Sequence, residues 1–535
     1  MKEQSTTKSF AILSAAGMIV KILSLLYIPF LKGIITDEGY GVYGAAYSVY
    51  VFIYVITNSG IPVAISKLIS ELTAVKNYRD AVKSFKISRF ILLIIGTFMT
   101  ILMLLFARPL SKAVHYDKAY LSILALSPAI LFTSIASAYR GYFQGWGNMV
   151  PTAVSQVIEQ IVNTIFTLVF AALLMRYGIE AGCAGGTIGT SLGAFASASY
   201  LIIFYERHKK IKVPKGYNEM EIRRYTTKQI LRKIANYGIP ITICVGMTYA
   251  GNLIDVGNTK ARLMAGGIQE AYASTLYGYL VKYQQLLNVP IAIITSLAVT
   301  ILPAISSAAA LRDREQVRDK IKYAFRLCFL IAIPSAFGLA VLSEPIFSML
   351  KFGKGSFLMR YGSIVLVLMT IMQIQTTILQ SIGKLYTATI YSVIGIACKI
   401  LANYVLIAMP NINILGAVYG SIIGYTIPII LNNRMLKKSL NIKFNLLNAG
   451  LKPALSSIFM SFVVYIIYSS INLLSGITGA TYLINALATV TSIIFGLYSY
   501  LFCLILTSGV TKEDFKYLPS KFMRMIPKFM LERIR

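Results

Sequence analysis

Ionisable side chains occur inside long apolar stretches of this sequence, where a charge is costly. Lys21, Glu159 and Lys399 each lie well inside such a stretch, and Asp255 and Lys282 lie near the ends of two others. A charged side chain at the centre of a bilayer costs about 2.5–3.5 kcal/mol on insertion scales, so such groups face a cavity or a partner and mark transport pathways. These residues therefore indicate a protein that handles charged or polar groups inside a membrane.

The composition agrees with a membrane protein. Of the 535 residues, 56% are hydrophobic and only 13% are charged, whereas soluble domains carry about 25% charged residues. Apolar runs of 18 residues or more recur along the chain, and each is long enough to cross a hydrocarbon core about 30 Å thick. We predict an all-α polytopic membrane protein.

The net charge of +31 is distributed unevenly along the chain. Basic residues gather in alternate loops, whereas the loops 409–413 and 475–480 carry no charge. This alternation follows the positive-inside rule and predicts a multi-pass membrane protein with both termini in the cytoplasm. It excludes nucleic acid as the partner of the basic residues and favours anionic membrane lipids. The basic loops are 76–89, 207–233, 312–322 and 434–452.

About fourteen membrane spans fit both the apolar runs and the charge pattern. Thirteen spans would place half of the basic loops on the opposite side of the membrane. The predicted spans are 10–33, 42–69, 88–108, 119–140, 150–175, 182–205, 233–255, 277–308, 320–343, 360–382, 386–408, 414–433, 451–474 and 481–507.

An internal duplication groups these spans into two pseudo-repeat lobes of six helices each. The stretch 139–163 returns as 378–403, with Gln144 matching Gln380 and Asn163 matching Asn403, so the period is about 240 residues. Six spans in each lobe give both copies the same orientation, with a substrate path between them. The predicted parts are a first lobe (1–210), a basic cytoplasmic linker (211–232), a second lobe (233–440), two C-terminal spans (441–510) and a basic amphipathic tail (511–535).

The duplication also places Glu159 and Lys399 at equivalent positions. They could form a structural ion pair at the lobe interface, or line the path with Glu159 acting as a gate. For Lys21 we expect contact with substrate, because no acid lies within a helical turn of it. Arg140 follows Tyr139 at a cytoplasmic helix end, where a long side chain either snorkels to the interface or contacts substrate. Gln144, in the turn that follows, is expected to bind substrate as well.

No enzyme chemistry is indicated by the remaining reactive residues. Both histidines, His115 and His208, lie in predicted loops, and no P-loop is present. The five cysteines lie in apolar runs without paired spacing, which predicts structural thiols and neither a disulfide framework nor a metal site. We expect no cofactor; transport would use a Na⁺ or H⁺ gradient, the membrane potential or consumption of the product. The cysteines are Cys183, Cys244, Cys328, Cys398 and Cys503.

Four blocks of the sequence resemble a known family, and the resemblance extends over essentially the whole chain. They are Gly17 with Lys21-Ile22-Leu23, the block GYGVY at 39–43, the block GIPVAISK at 60–67, and the block RGYFQG at 140–145 followed by PTAVSQVIEQ at 151–160. The chain resembles the stage V sporulation protein B group of polysaccharide transporters, which belongs with MurJ-type lipid II flippases in the MOP exporter superfamily.

This resemblance implies a flippase for an undecaprenyl-pyrophosphate-linked saccharide, most of all lipid II, working from the inner to the outer leaflet by alternating access. Lys21 aligns with the family's cavity arginine of the first span, and Lys282 lies near its cationic position at the start of span 8. Tyr27 replaces the second arginine of span 1, and the arginine of span 2 has no counterpart near Asn58. The cavity is therefore expected to be less cationic than in the best-known members.

Some relatives bind sodium between spans 7, 11 and 12, and Asp255 and Asn403 match two of those ligand positions. Lys399 lies one turn before Asn403, where its ammonium could substitute for the cation. We therefore expect sodium coupling to be absent or altered.

The other functions to be weighed are a flippase for a different lipid-linked polysaccharide unit, such as a capsule or teichoic-acid precursor, and a multidrug or cation antiporter of the same superfamily. The antiporter would require acids to dominate the cavity, whereas the buried charges here are mostly lysines. A role as a scaffold for cell-wall synthesis enzymes would not explain Lys21. The same enzymes are also conceivable partners of a flippase.

Overall fold

The computed structural model describes residues 6–208, 224–310, 314–440, 446–473 and 481–509, and nearly all of them are helical. The first helices are α1 (Thr6–Leu26), α2 (Ile28–Asn58), α3 (Ile61–Ala74), α4 (Tyr78–Leu105), α5 (Ala107–Ala113), α6 (Tyr120–Gly145), α7 (Val150–Leu174), α8 (Ile179–His208) and α9 (Thr227–Ala265). The others are α10 (Glu270–Ala310), α11 (Arg314–Val341), α12 (Ser343–Met349), α13 (Ser356–Gly362), α14 (Ile364–Ser381), α15 (Leu385–Leu406), α16 (Leu415–Leu440), α17 (Leu446–Asn472) and α18 (Thr481–Leu506). Residues 211–223 of the predicted linker and the predicted tail 511–535 lie outside the described part.

The predicted all-α membrane fold is confirmed. Within the described residues, twelve helical stretches are long and apolar enough to cross a membrane. The sequence predicts about fourteen, and the two remaining predicted spans lie on α1 and α10, which are helical as well. Helices satisfy their own backbone hydrogen bonds, which is why apolar runs of this length adopt them in lipid.

The first two predicted spans are broken where backbone geometry requires it. Pro29 lies in the first turn of α2, directly after the end of α1 at Leu26, because proline fits the first turn of a helix but not its interior. α2 is interrupted at Thr36, whose φ of 66° lies in the left-handed region that side chains rarely adopt. Pro62 likewise begins α3 after Gly60. Proline and turn positions, rather than the ends of the apolar runs, therefore set these boundaries.

Contacts between residues divide the chain into two units. Unit 1 comprises Met1–Val281 and Asn403–Ile414, and unit 2 comprises Lys282–Ala402 and Leu415–Arg535. The two six-helix lobes follow from the sequence repeat rather than from these contacts, and they stay a prediction.

A small-residue face on α8 organises the part of unit 1 that carries polar side chains. Gly185, Gly189 and Gly193 recur every four residues along α8 and lie against the backbone of α7. A Cβ at any of the three would overlap α7 atoms, so glycine is required for this approach. The tight packing fixes the rotation of α7 and therefore the direction in which its polar residues point.

Unit 2 has its own core. Buried apolar residues of α10, α11, α14, α15 and α16 form one cluster that includes Phe325, Phe329 and Ile374. Gly395 of α15 lies against the carbonyl of Gly424 on α16, which brings these two helices into backbone contact. The side chain of Lys399 packs against α16 at the same place, because a Cβ on Gly424 would lie 2.6 Å from its Cβ.

Candidate transport site

An ion pair between Arg140 and Glu159 lies inside unit 1. Arg140 is on α6 and Glu159 on α7, and the distance from Nη2 to Oε2 is 2.6 Å. Nη2 also donates to Ser197 Oγ on α8 at 2.8 Å, and Nε donates to Ser155 Oγ on α7 at 3.1 Å. The arginine side chain is 13% exposed and the glutamate 29%. Hydrogen bonds to α7 and α8 thus fix the guanidinium that α6 carries.

One edge of this ion pair remains open. Within the described residues, no protein atom bonds to Nη1 of Arg140 or to Oε1 of Glu159. Neither atom is one of the fully buried side-chain atoms without a hydrogen-bond partner. Both atoms are therefore accessible to a ligand. A guanidinium has five N–H donors and a carboxylate about four acceptor sites. The pair can therefore donate and accept further hydrogen bonds at one place.

A row of five tyrosines on α2 runs beside this pair and is not among the residues predicted from the sequence. Neighbouring rings have centroids 4.9 to 6.0 Å apart. Tyr47 and Tyr54 are half-buried, whereas the others are buried. The spacing of three and four residues, which places side chains on one helix face, was the signal in the sequence. The tyrosine row consists of Tyr40, Tyr43, Tyr47, Tyr50 and Tyr54.

Hydrogen bonds connect the tyrosine row to α7 and α8. Tyr43 Oη bonds to Tyr27 Oη at 3.1 Å, and Tyr47 Oη bonds to Thr190 Oγ1. Thr190 Oγ1 in turn donates to Asn163 Oδ1 at 3.3 Å. Asn163 follows Glu159 by one turn of α7, so the polar side chains of α7 face the tyrosines of α2.

Tyr54 is the member of the tyrosine row that interacts electrostatically with both charges of the pair, Arg140 and Glu159. Gln144, which the sequence analysis placed with the substrate-binding residues, is half-buried in the last turn of α6. Its main-chain carbonyl accepts a hydrogen bond from Gly147 N at 2.9 Å.

Lys21 has an exposed side chain on α1, a helix that packs against α7. Within the described residues, no acid or carbonyl bonds to its ammonium; the only side-chain hydrogen bond at this residue is the one that Ser24 donates to its backbone carbonyl. The side chain lies about 23 Å along the helix from its start at Thr6 at 1.5 Å per residue. Lys21 thus offers an unpaired positive charge on a helix of a membrane protein.

Lys282 occupies a different environment from the one expected for a substrate ligand. Its side chain is fully buried, and its ammonium donates to the carbonyl of Phe352 at 2.6 Å and to that of Lys354 at 3.4 Å. These carbonyls belong to the turn between α12 and α13, where Lys351, Gly353 and Gly355 have positive φ. Contact with substrate would require these bonds to be released.

Asp255 and Asn403 meet inside unit 1, where the resemblance predicts a possible cation site. Asn403 Nδ2 donates to Asp255 Oδ1, both side chains are buried, and Asn403 Oδ1 has no partner in the described chain. A cation would need both oxygens as ligands, but Asn403 turns its nitrogen toward the carboxylate. This arrangement is a hydrogen bond, and a cation ligated by both side chains would require the Asn403 amide to turn its oxygen toward Asp255. Lys399 is half-buried in unit 2.

A second charged cluster in unit 1 joins α9 to α10 and was also missed. Lys260 is buried, and its ammonium lies 2.9 Å from Glu270 Oε1 and 4.1 Å from the centroid of the Tyr116 ring. The hydrogen bond from Lys260 and its positive charge lower the pKa of Glu270 from its usual value. Lys118 and Glu38 form a further pair at 2.8 Å.

The described residues contain no group of three or more His, Cys, Asp or Glu side chains that could hold a metal ion. All five cysteines have free thiols, and Cys183, Cys244 and Cys328 are buried. These thiols are buried or half-buried inside helices, where the sequence analysis placed them.

The chain is similar to curated proteins of Bacillus subtilis (strain 168) over most of its length. It is 28% identical to stage V sporulation protein B over 453 residues, which are 83% of this chain and 86% of that protein. It is 24% identical to the lipid II flippase MurJ over 457 residues, or 82% and 83% of the two chains. It is 26% identical to the uncharacterized membrane protein YabM over 523 residues, or 96% of each.

Solved structures share the fold. The inward closed conformation of the lipid II flippase MurJ matches with a TM-score of 0.68 at 17% identity, covering 93% of this chain and 98% of that one. The inward-facing conformation of a multidrug resistance MATE family transporter of the MOP superfamily matches with a TM-score of 0.62 at 17% identity, covering 79% and 99%. At these identities the likeness establishes the fold alone.

The family model described as polysaccharide biosynthesis protein matches residues 6–309, more than half of the chain. This match agrees with the resemblance seen in the sequence blocks around Lys21 and Arg140. The relatives whose names state an activity are flippases or transporters rather than enzymes. The chain is a multi-pass membrane protein that belongs to the polysaccharide biosynthesis protein family.

Proposed function

We propose that this protein is a flippase that moves an undecaprenyl-pyrophosphate-linked saccharide, above all lipid II, from the inner to the outer leaflet of the bacterial cell membrane. Family membership and the MurJ-like fold support transport of a lipid-linked saccharide. The choice of lipid II rests on the similarity to the lipid II flippase MurJ.

The observation that carries the proposal is the ammonium of Lys21, which has no partner among the residues that the structure describes. A charge on a membrane helix without a partner is costly, so it is retained where it meets an oppositely charged ligand. The pyrophosphate of a polyprenyl-linked saccharide is such a ligand, and it must cross the apolar part of the bilayer during flipping. Lys21 would therefore offset part of the cost of bringing the pyrophosphate into the membrane.

In the proposed mechanism the headgroup crosses the apolar part of the bilayer, whereas the prenyl tail does not have to leave the lipid. The headgroup enters a hydrated cavity open to the inner leaflet, and its pyrophosphate meets Lys21. The two predicted lobes then rock, which closes the inner side and opens the outer side. The prenyl tail stays in lipid throughout, so the protein lowers only the barrier for the headgroup.

The proposal also includes the energy source of transport. With both termini in the cytoplasm, the membrane potential acts on any net charge that crosses with the headgroup. A Na⁺ or H⁺ gradient is the other source. Because Asn403 presents its nitrogen to Asp255, we propose that sodium is not required.

A flippase for another lipid-linked polysaccharide unit would use the same pyrophosphate contact, so only the saccharide distinguishes it. A cation or drug antiporter needs an acid whose charge is free for the cation. Glu159 is compensated by Arg140, which disfavours the antiporter.

The test measures lipid II at the outer leaflet of cells depleted of their other flippases. Wild type is compared with Lys21→Ala, Lys21→Arg and a control, Lys86→Ala, which removes an exposed lysine of α4. We expect wild type, Lys21→Arg and the control to restore outer-leaflet lipid II, and Lys21→Ala to fail. Restoration by Lys21→Ala would remove Lys21 from the mechanism, and failure of well-expressed wild type would remove lipid II as the substrate.

A further inference from the structure

The ion pair of Arg140 and Glu159 carries no net charge, whereas Lys21 carries a positive charge. This difference determines which kind of ligand each can bind. The 2.6 Å contact neutralises the guanidinium. A pyrophosphate would favour a cation without a counter-ion, and a cationic ligand would favour an acid without one. A neutral pair with a free donor and a free acceptor suits a neutral ligand that is rich in hydroxyl groups.

The surroundings of the pair add the second element of such a site. Tyr54 is half-buried on the neighbouring helix α2 and interacts with both charges. Its ring centroid lies 6.0 Å from that of Tyr50, so the aromatic surface continues along the row. A tyrosine ring offers an apolar face together with a hydroxyl. Sugar rings have the complementary property, since their C–H faces are apolar and their edges carry hydroxyl groups.

The pair is also rigid enough to select an orientation. Ser155 and Ser197 hold Nε and Nη2 of Arg140, and the glycine contact at Gly193 fixes the α7 backbone at Glu159. Only Nη1 and Oε1 are left for a ligand within the described residues. Such a pre-organised donor and acceptor loses little entropy when a ligand binds.

We propose that Arg140, Glu159 and Tyr54 form a saccharide subsite that is separate from the pyrophosphate contact at Lys21. Oε1 of Glu159 accepts hydrogen bonds from sugar hydroxyls, Nη1 of Arg140 donates to a hydroxyl or carbonyl oxygen, and the Tyr54 ring packs against a sugar face. This subsite rests on the proposed function, because it assigns the saccharide part of the same lipid-linked substrate. It selects among lipid-linked precursors by their sugars.

The test compares two ligands that differ only in the saccharide. Purified full-length protein in nanodiscs is titrated with lipid II and with undecaprenyl pyrophosphate, and the dissociation constants are measured for wild type and Glu159→Gln. Wild type should bind lipid II more tightly than undecaprenyl pyrophosphate. Loss of hydrogen bonds to a charged acceptor should weaken lipid II binding by about tenfold in the variant, whereas undecaprenyl pyrophosphate should bind no more weakly than to wild type.

Controls separate this role from a structural one. Glu180→Gln removes an exposed glutamate at the start of α8 and should leave both constants unchanged. Tyr54→Phe keeps the ring and should retain the preference for lipid II, whereas Tyr54→Ala should lose it. These two variants keep the test valid if Glu159→Gln does not fold.

The possible outcomes are distinct. A loss of affinity for lipid II alone supports the subsite. An equal loss for both ligands, or no loss for either, overturns it while leaving the flippase proposal in place. If wild-type protein binds neither ligand, the proposed function fails, and the subsite fails with it.

Discussion

Gly193 of α8 faces the main-chain carbonyl of Glu159 on α7 so closely that a Cβ at position 193 would lie 2.5 Å from that oxygen. The glycine therefore determines where Glu159 stands relative to Arg140. Two helices can approach to this distance only when one of them has no side chain at the contact.

We first predict the effect of Gly193→Ala. The added methyl group must push α7 away from α8, and overpacking of this kind costs about 1–3 kcal/mol. The measurement is the midpoint of thermal unfolding in detergent. Gly246→Ala on α9 is the matched control, since its Cβ would meet no atom closer than 3.8 Å. Equal midpoints for the two variants would contradict the prediction.

The second prediction concerns the coupling between Arg140 and Glu159. Arg140→Ala leaves the carboxylate of Glu159 uncompensated and should destabilise the protein by about 1–3 kcal/mol, less than a fully buried pair would. The double variant Arg140→Ala/Glu159→Ala should lose less than the sum of the single changes, because the two charges interact directly. Unfolding free energies of all four proteins give the coupling. Additive losses would show that the pair contributes no net interaction.

The third prediction concerns sodium. Because Asn403 donates its N–H to Asp255, replacing sodium by choline should leave the rate of flipping unchanged, and sodium should not raise the unfolding temperature. Flipping is measured in proteoliposomes under both salts, with Asp255→Asn as a comparison. A strict requirement for sodium would mean that Asn403 turns its oxygen toward the carboxylate and that the pair does bind the cation.

The fourth prediction concerns the pH dependence of the Lys260–Glu270 pair. The folded-state pKa of Glu270 is lowered, so the pair stabilises the protein above the unfolded pKa of glutamate, about 4.3, and this contribution is lost as pH falls through the folded value. Since the Glu270 side chain is 56% exposed, the effect should be at most about 1 kcal/mol.

This pH dependence can be measured by comparing wild type with Glu270→Gln. The wild type should unfold at a higher temperature at pH 7, and the difference should shrink toward zero below about pH 4. Glu344→Gln is the control, because its pair with Arg360 is longer at 3.4 Å and more exposed. A difference that grows on acidification would contradict the assigned sign.

The sequence by itself determined the class of fold and the approximate position of its helices. Every predicted span lies on helical segments, although some of them cover the break between two helices, because an apolar run in lipid has to satisfy its backbone hydrogen bonds internally. The family resemblance also placed Asp255 and Asn403 in one possible site, and the structure brings them into contact. The tyrosine row on α2 could have been predicted as well, since its spacing of three and four residues is visible without a structure.

Tertiary structure decided which polar groups meet. The repeat suggested Lys399 as a partner for Glu159, whereas the described ion pair joins Glu159 to Arg140, nineteen residues away on the preceding helix. The ammonium of Lys282 donates to the carbonyl of Phe352, seventy residues further along the chain, while its contact with substrate stays a prediction. Hydrophobic periodicity shows which face of a helix is apolar. The partner of a buried polar group depends instead on how neighbouring helices cross and rotate, which close contacts such as the one at Gly193 determine.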